Sequence, residues 1–431
     1  MLLVSKKQSL AVSGLLRLSP FTGTMLVSIG AYIVTARALG PAAFGIFTFM
    51  QWLATIVLPL VGIGMSAMSS SQIVELQSRE PPRGIAGIFH YLCYQQCKRI
   101  LLYCLIYLLL ALPLAWIFDF CTPLRLLLAC LGALPFFLSS TAGITLRSLR
   151  RLDLLTGLHL FGAVTSLLLV VIALQLHGGQ IEIFLLATAL SGTLTLVIAV
   201  LSTVRILSLR QAQPPALTVR NRLKGSFKQA LLPFVLDAII WQRGASLFLA
   251  WWCSPTELAF YIISAMISSS LMRLTPLLLS NLPFFARYTP GRHSLDSYDT
   301  FIKTSCYMAF LAVALCMAVT LLGPYLIIST LGESYLPLLQ PLRILLLASV
   351  FGSVASVSLT HLTRHKQQST YFDGIAALLH IALAVPCIIY WGATGAALAS
   401  ALAQILSAIG SIITCERFLS KLEMSTRGDA S

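Results

Sequence analysis

The sequence predicts an all-α integral membrane protein of about twelve transmembrane helices in two six-helix bundles. Three observations carry that reading. Of the 431 residues, 58% are hydrophobic and only 10% are charged, whereas an average soluble domain carries about 25% charged residues. Apolar runs of roughly twenty residues, the length needed to cross a bilayer core, recur along the whole chain. The basic residues gather in alternate connecting segments, as expected when one side of a membrane retains Lys and Arg.

The apolar spans fall near 19–36, 46–67, 100–118, 126–146, 154–176 and 182–204, then near 232–252, 257–285, 304–323, 342–362, 372–390 and 394–415. The eighth is long and contains Pro276 and Pro283, which predicts a kink or an interfacial end, because proline removes a helical hydrogen bond. With the N-terminus inside, the inner segments hold 24 of the 29 Lys and Arg residues and the outer loops hold two, Arg37 and Arg125. That asymmetry predicts an even number of spans with both termini cytoplasmic. Lys6 and Lys7 precede an apolar run that Arg17 interrupts, with no small-residue cleavage site after it, so the N-terminal segment reads as uncleaved.

Several function classes are disfavoured. The net charge of +15 does not form one basic patch or recognition helix, so no nucleic-acid partner is expected. The outer loops are short, "HGGQ" and "WGAT" among them, whereas an outer-face polysaccharide polymerase, the least favoured alternative, usually needs a larger one to hold its catalytic residues. No nucleotide-phosphate motif is present, and the chain reads as a non-enzyme. His90, Cys93 and Cys97 share a helical face, but no carboxylate or second pair supports a metal there. No cofactor is expected.

The chain repeats itself at an offset of 214. "ARALGPAAFGIF" aligns with "AWWCSPTELAFY", matching Pro41 to Pro255; Arg150 falls on Arg364, Gly178 on Gly392, Ala187 on Ala401 and Ala189 on Ala403. Six spans per half give both halves one orientation, a parallel repeat about an axis normal to the membrane. Substrate sites in such proteins lie between the halves near the midplane, with alternating access. The predicted organisation is an N-terminal bundle over 1–207, a basic cytoplasmic linker over 208–230, a C-terminal bundle over 231–416 and a cytoplasmic tail over 417–431.

The charges inside the spans are the candidate site. Arg243, Arg273 and Arg343 lie within spans, and Arg37 ends the first. A charge at a helix centre costs about 2.5–3.5 kcal/mol even on lenient scales. Asp237 precedes Arg243 by six residues, about 9 Å along the axis and roughly 120° around it, so the two are not a simple helical ion pair. One acid cannot neutralise both deep arginines, and guanidinium forks match a diphosphate. Arg37 and Arg343, near helix ends, could equally snorkel or bond backbone carbonyls. Asp237 is either a proton or sodium site or a structural partner for one arginine. His361 and His380 read first as packing histidines with their hydrogen bonds met, the alternative being a sugar contact or a proton relay; Trp251 and Trp252 read first as an interfacial belt, and Trp241 could stack on a sugar.

"ARALGPAAFG" resembles the A-R-x-L-G-x-x-x-F-G signature of polysaccharide exporters, the Wzx-type O-antigen flippases of the multidrug/oligosaccharidyl-lipid/polysaccharide (MOP) superfamily. "SPTELAFYIISAMISSSLMRLTPLLLSNLPFFARY", "LGESYLPLLQPLRILLLASVFG" and "WGATGAALASALAQIL" are similar to later segments of that family, in the same order. The resemblance implies a MOP-type fold in a bacterial cytoplasmic (inner) membrane. The implied activity is transfer of polyprenyl-diphosphate-linked oligosaccharide from the cytoplasmic to the outer leaflet. It also implies membrane lipids, a coupling proton or sodium ion, and a polysaccharide polymerase with a chain-length regulator as partners. Gly244 follows "WQR" where many relatives carry an acid, which leaves Asp237 as the acid of this span. The alternative is a cation-coupled multidrug exporter of the same superfamily.

Overall fold

The structure is a computed structural model and describes residues 2–67, 82–149, 151–177, 179–207, 235–236, 244–280, 297–361 and 366–428. Ten helices are described: α1 (Leu2–Ala67), α2 (Pro82–Ile117), α3 (Pro123–Ser148), α4 (Leu152–His177), α5 (Ile181–Leu207), α6 (Ala245–Trp252), α7 (Pro255–Ser280), α8 (Ser297–Thr330), α9 (Leu339–His361) and α10 (Lys366–Gly428). A 3-10 turn, Glu333–Leu338, joins α8 to α9.

Two of these helices are broken. Gly40 (φ 72°, ψ 170°) interrupts α1, and Gly392 (φ 56°, ψ −131°) interrupts α10. Left-handed backbone of this kind strains any residue with a Cβ, so glycine is the residue that can turn the chain there. At Gly40 the following Pro41 suits the first turn of the next helix, where its missing N–H is not needed. With these two breaks, described helix falls on each of the twelve expected spans. Eight helical stretches of the described residues are long and apolar enough to cross a membrane. The chain is a multi-pass membrane protein.

The chain divides into two compact units. One is Pro20–Val235; the other is Met1–Ser19 with Leu236–Ser431. In the first unit α5 packs against α3 and α4; in the second α10 packs against α6, α7 and α9. Apolar burial cannot drive helices together in lipid, so close approach of small residues takes its place. Gly162 accordingly lies so near Thr195 that an added Cβ would come within 2.9 Å of its Oγ1, and Gly192 faces Pro135. On the outside, Leu101, Leu105, Leu108 and Leu112 of α2 are exposed along one helical stripe, a surface suited to acyl chains.

Each unit closes a similar corner. In the first, Gly179 (φ 101°) between α4 and α5 rests on the Ala38 carbonyl next to the α1 break. In the second, the break at Gly392 rests on Glu257 at the start of α7. Ser254, Pro255 and Glu257 form an N-terminal cap there, with the Glu257 N–H donating to Ser254 Oγ at 3.4 Å. The Glu257 carboxylate accepts from the Ala393 N–H at 2.8 Å, where a negative charge meets the positive end of the second arm of α10.

Candidate functional site

The second unit holds a polar seam between the two arms of α10. Asp373, Ala377, His380 and Ala384 are spaced by three and four residues, which sets them on one face of the first arm. Ser400, Ala403, Ser407 and Ser411 line the second arm in the same way and are all buried. The two stripes meet. Ser407 donates to the Asp373 carboxylate at 2.6 Å, and Tyr261 of α7 shares a 2.8 Å hydrogen bond with Ser400. Leu236 and Leu406 pack against Ala376, Ala377 and Ala403 at the same level, which brings the start of the seventh span onto the seam.

His380 sits in this seam with 1% of its surface exposed. The Ala399 backbone lies at the edge of hydrogen-bonding reach of its ring, and among the described residues neither ring nitrogen has a partner at full hydrogen-bond geometry. The sequence leads one to expect a packing histidine with its bonds met. The burial is there and the bonds are not, because its neighbours on both arms are mainly alanines. Ser246 of α6, also fully buried, likewise has an unbonded hydroxyl.

The predicted cationic residues are distributed differently. Arg37 is exposed on α1 in the first unit, and Arg343 is exposed on α9 in the second. Arg273 lies on α7, with its side chain outside the described residues. Arg243, Asp237 and Trp241 lie outside the described residues as well. Trp251 and Trp252 are exposed at the end of α6, and Trp252 stacks with Phe248, placements suited to an interfacial belt. Among the described residues no group of three or more His, Cys, Asp or Glu is arranged to hold a metal.

Several contacts were not read from the sequence. Arg125 of α3 pairs with Glu182 of α5 at 2.7 Å and donates to the Phe120 carbonyl at 3.1 Å. Gln96 of α2 is buried and bonds the Phe137 carbonyl at 2.9 Å, Ser140 at 3.0 Å and Thr141. Cys253, in the link between α6 and α7, has its thiol pushed up by burial and by the nearby Glu257 carboxylate. A signal for the seam did exist: Asp373 and His380 stand seven residues apart, as do Ser400 and Ser407. Nothing local states that these two stripes face one another.

No family model matches the chain, and no curated protein matches it in sequence. Solved structures do resemble it. One is described as an inward-facing conformation of a multidrug resistance MATE family transporter of the MOP superfamily. It matches with a TM-score of 0.69 at 15% identity, over 95% of this chain and 99% of that one. The lipid II flippase MurJ in an inward closed conformation matches with a TM-score of 0.69 at 13% identity, over 95% and 90%. A MOP superfamily transporter from Pyrococcus furiosus, described by a reversed polarity of its binding pocket that suggests a different function, matches with a TM-score of 0.57 at 15% identity, over 95% and 96%. The chain therefore has the all-helical, multi-pass fold of MOP-superfamily transporters.

Proposed function

We propose that this chain is a flippase that carries polyprenyl-diphosphate-linked oligosaccharide from the cytoplasmic to the outer leaflet, for assembly of a polysaccharide or lipopolysaccharide O-antigen. The observation that carries the reading is the placement of Arg243 and Arg273 deep within apolar spans, with Asp237 the one acid well inside such a span. Cations at that depth are costly unless something anionic compensates them. A diphosphate head supplies two or more negative oxygens, and guanidinium forks bind such groups bidentately. The task suits that chemistry: the polar head must pass the hydrocarbon while the polyprenyl tail stays in lipid.

In this reading Arg243 and Arg273 line a wet, cationic chamber that takes the diphosphate head. Arg37 and Arg343, near span ends, receive or release the head. Asp237 takes a coupling proton or sodium ion. Both termini are cytoplasmic and the membrane is a bacterial inner membrane, with a polymerase and a chain-length regulator acting on the product. The MurJ likeness and the ordered resemblance to polysaccharide exporters support the cargo class.

Arg243→Ala or Arg273→Ala should abolish surface polysaccharide in a complemented flippase-null strain while leaving protein level unchanged. Normal polysaccharide in both variants would end the reading. The second reading, a cation-coupled multidrug exporter, draws on the equally strong likeness to a MATE transporter. An organic cation wants acids around it, and the spans hold more arginines than carboxylates. Drug resistance conferred by expression, with no effect on polysaccharide, would favour it.

A further inference from the structure

His380 is a titratable group that the cargo reading leaves without a task. It is buried between the arms of α10, and among the described residues neither ring nitrogen has a partner at full hydrogen-bond geometry, the Ala399 backbone lying at the edge of reach. A neutral imidazole carries one donor and one acceptor, and burying both unbonded is costly. An alanine or leucine would fill such a position without that cost.

The groups around it define what a proton would meet. On its own arm, Asp373 stands two turns to one side and Cys387 two turns to the other, on the same face. From α7, Tyr261 reaches the seam through Ser400, while Glu257 is engaged at the Ala393 N–H. The helix α6 presents no titratable side chain, only the unbonded Ser246 hydroxyl. Arg343 on α9 and Lys303, Cys306 and Tyr307 on α8 are exposed. Cys316 of α8 is buried against Leu346 and Ser349 of α9. The side chains of Asp237, Arg273 and His361 lie outside the described residues.

We propose that His380 is a proton-binding site whose occupancy is coupled to opening of the seam between the arms of α10. A proton from water adds to a ring nitrogen, and among the described residues the resulting imidazolium has no counter-ion in contact. Asp373 is about 10 Å away along the helix axis and already accepts from Ser407. The protonated state therefore favours an arrangement in which the seam admits water or brings Asp373 closer. By linkage, that arrangement binds the proton more tightly. The coupling to a transport cycle rests on the transporter reading above; the proton site itself does not depend on the cargo.

The test uses the full-length protein in proteoliposomes on a solid-supported membrane, with no cargo present. The outer pH is stepped from about 8 to about 6, across the ordinary imidazole range. Wild type should show a transient charge displacement. His380→Gln and His380→Leu should lower it at least about tenfold, while His90→Gln should keep it. No displacement in wild type, or undiminished displacement in both His380 variants, overturns the proposal. Size-exclusion profiles establish folding; if neither His380 variant folds, the residue is a packing element and the proposal also fails. Arg243→Ala should retain the displacement while losing polysaccharide export, so the two readings fail separately.

Discussion

The two units share a fold and differ in how they use polar groups. In the first, polar side chains serve as ties between helices. Gln96 bonds three partners on α3, Tyr103 donates to the Ala54 carbonyl at 3.0 Å, Tyr107 donates to the Leu126 carbonyl at 2.9 Å, and Arg125 pairs with Glu182. In the second, ties also occur, as between Ser268 and the Leu345 carbonyl at 2.8 Å. Beside them, however, His380 and Ser246 remain buried and unbonded. Bonded polar groups in a low-dielectric interior rigidify a bundle, whereas an unbonded titratable group leaves it sensitive to charge. That contrast is the reason the proposed proton site falls in the second unit.

The largest expected effect concerns how closely the arms of α10 approach. An added Cβ at Gly410 would run into the Phe372 ring, and one at Gly395 into the Cys387 carbonyl. In the first unit a Cβ at Gly132 would meet nothing nearer than 3.7 Å. Gly395→Ala should therefore abolish folded protein on size exclusion, and Gly410→Ala should destabilise by about 3 kcal/mol or more. Gly132→Ala should be tolerated. Equal behaviour of Gly410→Ala and Gly132→Ala would erase the difference in packing between these two sites.

A smaller effect, with opposite signs in the two units, comes from replacing buried polar groups by leucine. Gln96→Leu should destabilise by about 1–3 kcal/mol in detergent unfolding, because it leaves partners on α3 unpaired. His380→Leu should be neutral or stabilising, since it breaks no hydrogen bond with the protein. A comparable loss at both positions would show that His380 is bonded in the folded protein and would remove the contrast. Next comes the corner at Gly392. Glu257→Ala should cost about 1 kcal/mol, the usual worth of a helix cap, read as a lower unfolding midpoint. The smallest effect is expected at the partly exposed pair in the first unit, where Arg125→Ala should cost below about 1 kcal/mol and fade in high salt.

Some of this was legible in the chain alone. The sequence by itself determined the all-helical, multi-pass class, because a bilayer core of fixed thickness demands apolar runs of about one length. It did not mark the corners at Gly40 and Gly392, whose positive φ only the folded chain shows, although a residue without Cβ is the one that turns there freely. It named Arg243 and Arg273 as deep charges from local composition. What it could not determine was which polar residues meet. Glu257 and Ala393 are 136 residues apart, Tyr261 and Ser400 are 139 apart, and even Asp373 and Ser407 are 34 apart. Periodicity assigns a residue to a face of its own helix, and only the packing of helices decides what that face sees. For that reason Gln96 became a tie and His380 did not, though the local sequence around neither residue states which outcome follows.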